Sequence, residues 1–211
     1  MKKLTKKSLE ELAKVMPVLS EMEMRSHVGG DHYYFSSEGK LIRQVSSIEN
    51  VFHAGGETLD ISGTFSVKQS SGLMIEGSNI GRDVFEFLAD NTSVEWGYSS
   101  KNDSQEGYLY SSHERHHLTP TDIDLYKEGY DNFYHSHGEG ISKNDSGLVD
   151  VYGHPSDQDI KSIADGRAKG YSNFYIYNEA RKGNNSYRQY DEHSRSMEEY
   201  ADELGYTIKY E

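Results

Sequence analysis

Residues 131–138 read Asp-Asn-Phe-Tyr-His-Ser-His-Gly, and residues 153–163 read Gly-His-Pro-Ser-Asp-Gln-Asp-Ile-Lys-Ser-Ile. In the first stretch, His135 and His137 alternate across Ser136. On a β-strand, residues i and i+2 share one face, so the two imidazoles would stand side by side. Two neutral imidazoles on one face are a suitable pair of zinc ligands.

The second stretch has the features of a helix start. Ser156 is a residue type preferred at the N-cap, and apolar residues follow at helical spacing at Ile160, Ile163 and Ala164. Asp159 then falls in the first helical turn. An oxygen ligand at that position would complete a two-histidine, one-carboxylate metal site with an open fourth position.

Length and composition indicate a folded domain. At 211 residues the chain can bury a core, and 17 Tyr and 7 Phe offset a hydrophobic content of only 34%. Because there is no Cys, His and carboxylate are the only strong metal ligands. A net charge of −13 argues against nucleic acid as a partner, and no apolar run is long enough for membrane insertion.

The pattern of apolar residues predicts strands mixed with helices. In chain order we predict a hairpin at 32–35 and 41–45, strands at 64–67 and 73–75, a helix at 80–91, strands at 93–98 and 108–110, a short helix at 119–130, strands at 174–177 and 187–190, a helix at 196–204 and a strand at 206–209. This order predicts a single domain of the α/β (mixed α+β) class, with a mixed, partly antiparallel sheet flanked by helices.

A metal with an open position binds water, and a reacting water needs a base nearby; Glu95 is our choice among the upstream carboxylates. On its predicted strand, Val94 and Trp96 face one side and Glu95 the other. A carboxylate inside such an apolar strand indicates a functional role, although an exposed residue paired with Lys or Arg is the alternative. Glu76 and Glu86 are weaker candidates, since Glu86 is expected to face solvent on its helix.

The metal-ligand pattern resembles a known family. His135-Ser136-His137 followed by Ser156-Asp157-Gln158-Asp159 is similar to the H-x-H…S-x-x-D signature of the JAMM/JAB metallopeptidases. The resemblance implies a JAB/MPN-like (cytidine-deaminase-like) fold in which His135, His137 and Asp159 hold zinc. It also implies that Ser156 helps to hold the reacting oxygen and that an upstream Glu is the general base.

A second segment resembles the bacterial JAB-like toxin branch of that family. Residues 85–96, which end Ser-Val-Glu-Trp, are similar to the segment before the catalytic Glu in that branch. The hairpin that follows there is comparable to Tyr110-Ser-Ser-His113. The resemblance therefore favours Glu95 as the base.

The spacing of the signature departs from the family pattern. Seven residues commonly separate the second His from the Ser, whereas eighteen intervene here, and Gly138 stands where Pro is usual. A nearer Ser-x-x-Asp, from Ser142 to Asp145, lies in a polar, Gly-flanked stretch with no helix after it. We therefore keep Ser156 and Asp159 and interpret residues 138–154 as an inserted surface loop.

Residues 113–117 read His-Glu-Arg-His-His and match the H-E-x-x-H motif of zincins. That motif works only on a helix, where residues i and i+4 share a face. The preceding residues are predicted as strand, and Pro120 follows closely. A polar turn is the favoured interpretation, in which His113 or His116 could still contact substrate.

Residues 1–30 differ from the rest of the chain. Apolar residues recur there at helical spacing, and the segment ends with Gly29-Gly30. This pattern resembles the double-glycine leaders that peptidase-containing ABC exporters cut after the second Gly, although His27 departs from it. The alternative is an N-terminal helix that packs on the domain and ends in a glycine cap. The leader interpretation gives a cytoplasmic precursor and an exported domain at 31–211.

Together these features predict a zinc-dependent metallopeptidase or isopeptidase that acts as an exported toxin or effector. Its expected partners are a protein or peptide substrate, the exporter and, for a toxin, an immunity protein that the sequence does not name. The alternative is a secreted binding module that keeps the JAB fold without catalysis. The long segment 138–154 and Gly138 motivate that alternative.

Overall fold

The structure is a computed structural model of the chain. It describes residues 30–101, 106–115, 118, 125–137, 142–144, 147–149, 153–178, 186–205 and 208. Within these ranges there are thirteen strands and three helices. No helix in the described part of the chain is long and apolar enough to cross a membrane.

Four strands near the start of the described chain form one sheet. They are β1 (Gly30–Phe35), β2 (Leu41–Ser47), β3 (Asn50–Ala54) and β4 (Glu57–Ile61), in the order β2-β1-β3-β4. β1 pairs with β2 antiparallel and with β3 parallel, so the predicted hairpin is confirmed. Alternation along β1 and β3 buries Tyr33, Phe35 and Phe52 in the core, and the opposite face points away from it.

The larger sheet has seven strands and carries the candidate site. Its members are β5 (Phe65–Gln69), β6 (Leu73–Ser78), β7 (Gly97–Ser100), β8 (Glu106–Ser111), β9 (Asn132–His137), β12 (Asn173–Asn178) and β13 (Tyr187–Tyr190), in the order β13-β12-β9-β7-β8-β6-β5. β12 and β9 are parallel and the other pairs are antiparallel. The mixed α/β fold class is therefore confirmed.

Helices cover both faces of the larger sheet. They are α1 (Arg82–Asn91), α2 (Asp157–Ala168) and α3 (Met197–Glu203). On one face Phe85 of α1 packs with Tyr98 and Tyr177, and on the other Ile163 of α2 joins the aromatic cluster around Phe174. The predicted helices at 80–91 and 196–204 are confirmed within one or two residues at each end.

Two predicted elements are wrong in part. The strand predicted at 93–98 begins only at Gly97, because the Trp96 amide donates to the side chain of Ser136 on the neighbouring strand β9 instead of to a backbone carbonyl. In the predicted helix 119–130, residues 125–130 form bends and turns, and the Lys127 amide donates to the Tyr171 hydroxyl. The remainder of that helix, and all of the predicted strand 206–209 except Ile208, lie outside the described residues.

The segment predicted as an inserted loop contains a short hairpin. β10 (Ser142–Asn144) and β11 (Gly147–Val149) pair antiparallel with each other and with no other described strand. The nearer Ser-x-x-Asp alternative begins in β10, and its Asp145 lies outside the described residues. No helix begins within the described part of this segment.

Candidate metal centre

Strand β9 places two histidines side by side inside the protein. β9 lies between β7 and β12, and all six of its residues are buried. His135 is 1% exposed and His137 is 6% exposed, and both lie on the same face as Phe133. Because burying an imidazole without a polar partner is costly, each of these two residues requires a polar partner, and Asp159 lies close to both.

That partner comes from the first turn of α2. Ser156 is the N-cap, and its Oγ accepts a hydrogen bond from the Asp159 amide at 3.1 Å. In return, the Ser156 amide and hydroxyl donate to Asp159 Oδ2 at 2.7 and 2.8 Å. The Ser-x-x-Asp sequence is thus a capping box, and the cap fixes the direction of the Asp159 carboxylate.

Three ligand atoms converge at this point. The Nε2 atoms of His135 and His137 are 3.0 Å apart, and each lies 3.3 Å from Asp159 Oδ2. In a tetrahedral zinc site with bonds of about 2.0 Å, neighbouring ligand atoms are about 3.3 Å apart. Among the described residues, these three form the only group of His and carboxylate side chains that could hold a metal ion.

The charge states of these residues suit a cation. Burial lowers the pKa of His135, although Asp159 opposes this, and a neutral imidazole is the form that binds metal. For Asp159, burial acts to raise the pKa, but His135 and His137 outweigh it and hold the pKa well below its usual range. Asp159 is therefore a carboxylate, and His135 is favoured in the neutral form whose ring nitrogen can bind a metal.

Glu95 lies beside this group. Its Oε1 is 3.8 Å from Nε2 of His137, and the residue is only 8% exposed. It precedes β7 and is not inside a strand as predicted; its amide donates to the Glu114 carbonyl at 3.0 Å. Burial raises the pKa of Glu95 to about 8, with His137 opposing the shift and Asp159 adding to it.

The two other predicted carboxylates are elsewhere. Glu76 is on β6 and forms an ion pair with Lys127. Glu86 is on α1, where it accepts a 2.7 Å hydrogen bond from the Tyr187 hydroxyl and so does not simply face solvent. Of the three candidates for the base, Glu95 alone has a contact with the His-His-Asp group among the described residues.

Residues 113–115 do not form the helix that a zincin requires. His113 has a φ of 65°, in the left-handed region, and no helix includes it. Its Nδ1 lies 3.2 Å from the Glu38 carbonyl oxygen. His116 and His117 lie outside the described residues. The role of His113 or His116 as a substrate contact stays a prediction.

Tyr190 is a site residue that the sequence did not indicate. Its hydroxyl lies 3.5 Å from Nδ1 of His135, and the two rings meet edge to face. Burial raises the pKa of Tyr190 well above its usual value, so it remains a neutral phenol. When Nε2 of a histidine binds a metal, Nδ1 carries the proton and needs an acceptor, which the Tyr190 oxygen provides.

Of the two glycines at the expected leader junction, the structure describes only Gly30. Gly29 lies outside the described residues. Gly30 is the first residue of β1, is buried and pairs with Ser47. A Cβ at Gly30 would collide with the backbone of Glu49, so glycine is also required there for packing.

Comparison with protein families gives one match. Residues 73–164 match a family described as JAB-like toxin 1. The matched range contains all five residues that the sequence predicted for the site: Glu95, His135, His137, Ser156 and Asp159. It supports a JAB-like toxin domain over that part of the chain, in agreement with the mixed α/β fold. Comparisons with curated proteins and with solved structures find no match.

Proposed function

We propose that the chain is a zinc-dependent metallopeptidase or isopeptidase of the JAMM type that acts as an exported toxin. The observation that carries this proposal is the convergence of His135, His137 and Asp159, with buried Glu95 beside them. The similarity of residues 73–164 to a JAB-like toxin family supports the assignment as a toxin with a JAB-like fold.

In this proposal His135, His137 and Asp159 hold the ion, since two imidazoles and one carboxylate leave a position open for catalysis. When bound, zinc supplies Lewis acidity that polarises a carbonyl and makes water more acidic. Tyr190 keeps His135 in the tautomer whose Nε2 is free to bind. Ser156 keeps the Asp159 carboxylate directed at the two imidazoles.

Glu95 is the proposed general base and acid. It takes a proton from the attacking water as the water oxygen bonds to the carbonyl carbon. It then gives this proton to the leaving nitrogen as the C–N bond breaks, so that the products are a carboxylate and an amine. Burial raises the pKa of Glu95 to about 8, so without a metal the carboxyl group tends to keep its proton. A cation bound nearby would lower this pKa and favour the carboxylate that acts as the base.

Ser156 is the proposed donor to the oxygen of the tetrahedral intermediate. Its hydroxyl now donates to Asp159, so it would have to rotate toward the substrate during the reaction. The Asp159 amide would still hold the Ser156 oxygen at the helix start. The proposed substrate is either a linear peptide bond or an isopeptide bond.

The decisive experiment compares Glu95→Gln with wild type and with Glu86→Gln. Each zinc-loaded protein is incubated with bacterial lysate, and new N-termini and newly freed lysine side chains are identified by mass spectrometry. We expect Glu95→Gln to keep one zinc per chain and to lose cleavage by at least about 100-fold. Glu86→Gln should cleave like wild type, since Glu86 accepts a hydrogen bond from Tyr187 on the face of the sheet opposite to the metal centre.

Cleavage by Glu95→Gln at the wild-type rate would refute the mechanism. If wild type binds zinc and a partner protein but cleaves nothing, the alternative of a binding module that keeps the fold is favoured. New N-termini would identify a linear peptidase, and freed lysine side chains would identify an isopeptidase.

We also propose that residues 1–30 are a leader removed by a peptidase-containing ABC exporter. The Gly30–Asp31 bond lies inside β1, where both residues pair with β2. A protease cuts such a bond only when the strand is open, so cleavage should precede docking of β1. Co-expression with the exporter peptidase should give a product that begins at Asp31. An intact chain, under conditions where a control leader is cut, would refute this.

A further inference from the structure

A second pair of histidines lies on the outer face of the four-stranded sheet. Nε2 of His53 is 3.0 Å from Nδ1 of His32. The strands that carry them, β1 and β3, are parallel, and Tyr34 is the residue opposite His53. His32 and His53 are therefore diagonal neighbours on one face, and the other face of the same strands packs into the core through Tyr33 and Phe52.

The separations within this pair are close to those in the candidate metal centre, whereas the angle between the rings is 29° here and 61° there. The facing nitrogens are 3.0 Å apart in both pairs. The ring centroids are 5.0 Å apart for His32 and His53, and 4.8 Å apart for His135 and His137. Two imidazole nitrogens at this separation can share one cation.

The pair is held in position by its neighbours. The Tyr34 ring stacks on His53 with centroids 4.2 Å apart and an interplanar angle of 8°. Arg43 lies over the far side of this stack, 5.4 Å from the Tyr34 centroid, on β2. Both histidines are on strands, so little conformational entropy remains to be lost when a ligand binds.

We propose that His32 and His53 form a second divalent-cation site, for a borderline ion such as Zn²⁺ or Ni²⁺, that links β1 to β3. Imidazole is a preferred ligand of these ions, and water would occupy the remaining positions. The two residues belong to different strands, so the ion would bind only the folded chain and would stabilise it.

The site can be tested without the candidate metal centre. In the full chain without an affinity tag, His135→Ala/His137→Ala provides the background, and Zn²⁺ alone is titrated by calorimetry. We expect one Zn²⁺ per chain in this background, together with chemical-shift changes at His32 Nδ1 and His53 Nε2 in imidazole NMR spectra. Because the background lacks the ligands of the candidate centre, the outcome does not depend on the proposed peptidase function.

His53→Phe in the same background is the decisive variant, because it keeps a ring to stack on Tyr34 and removes the ligand atom. Binding should disappear in His53→Phe and in His32→Phe. It should persist in His193→Phe, which changes an exposed histidine beyond β13. No binding in the background, or binding that His53→Phe leaves unchanged in a folded chain, would show that the pair is only a hydrogen bond between two imidazoles.

Discussion

Ser156 and Asp159 form reciprocal hydrogen bonds across the first turn of α2. The Asp159 oxygen in this cap, Oδ2, is the same atom that faces His135 and His137. Helix capping and ligand placement therefore depend on one side-chain atom. The structural and the proposed catalytic requirements of the Ser-x-x-Asp sequence cannot be separated by removing Asp159. Removing Ser156 disrupts the cap but leaves the Asp159 carboxylate in place, so comparison with a matched cap variant distinguishes the two requirements.

Ser156→Ala is expected to lower the free energy of unfolding by about 1 kcal/mol through loss of the cap. It should also weaken zinc affinity by about 10- to 100-fold, because the Asp159 carboxylate loses the donor that orients it. Both quantities can be measured on one preparation, by urea unfolding of the metal-free chain and by competition with a zinc chelator.

Ser196→Ala is the matched control for that prediction. Ser196 forms the same capping box with Glu199 at the start of α3, whose described residues contribute nothing to the metal group. It should cost a similar amount of stability and leave zinc affinity unchanged. Equal zinc affinities for Ser156→Ala and wild type would show that the cap does not position the ligand.

Tyr190→Phe is expected to reduce zinc affinity by about 10- to 100-fold with little change in fold. The substitution keeps the ring that packs on His135 and removes the acceptor for its Nδ1 proton. Tyr187→Phe, on the same strand but facing the opposite side of the sheet, is the control. If the two variants bind zinc equally well, the Tyr190 hydroxyl has no role at the centre.

The stability of the chain should depend on pH through His113. Burial lowers its pKa from 6.5, Lys40 adds to this, and the Glu38 carbonyl opposes it. Among the described residues, its buried Nε2 has no hydrogen-bond partner, so a proton there would be unsatisfied. The unfolded chain therefore binds this proton more readily than the folded chain does. The stability that neutral His113 contributes is fully present above about pH 6.5 and is lost as the pH falls below that value.

Urea unfolding in chelator between pH 5 and 8 measures this contribution. His113→Asn should show a smaller loss of stability than wild type between pH 6.5 and 5, and Asn tolerates the left-handed backbone there. Identical pH dependence of the two proteins would rule out His113 as the source.

Gly166→Ala is expected to destabilise the chain by about 1–3 kcal/mol. In an isolated helix this change would be stabilising by up to about 1 kcal/mol, so the expected sign is reversed. The reason is that a Cβ at Gly166 would lie 2.7 Å from Phe174 Cε1 and would push α2 away from the sheet. Because α2 carries Asp159, zinc affinity should also fall.

Thermal and urea unfolding measure the expected loss of stability of Gly166→Ala, and competition with a zinc chelator measures its zinc affinity. Asp165→Ala changes the exposed neighbouring position and should alter stability by no more than about 0.5 kcal/mol. A Gly166→Ala variant as stable as wild type would mean that α2 does not pack closely on Phe174.

The sequence alone determined the local geometry of the proposed ligands. Alternation along a strand put His135 and His137 on one face, and the capping signal at Ser156 put Asp159 in the first turn of a helix. Both follow from short-range backbone stereochemistry, which the printed residues specify within a few positions. The roles assigned to these residues, and the leader at residues 1–30, stay predictions.

Only the tertiary structure decided which distant residues meet. Glu95 approaches His137 from an irregular segment, Tyr190 reaches His135 from a strand two places away, and His32 meets His53 across a parallel pair. Each contact depends on strand order and register, which are set by packing of the whole core and leave no local signal. The hydrogen bond from the Trp96 amide to Ser136, which makes β7 begin at Gly97, also joins residues far apart in the chain and could not be predicted locally.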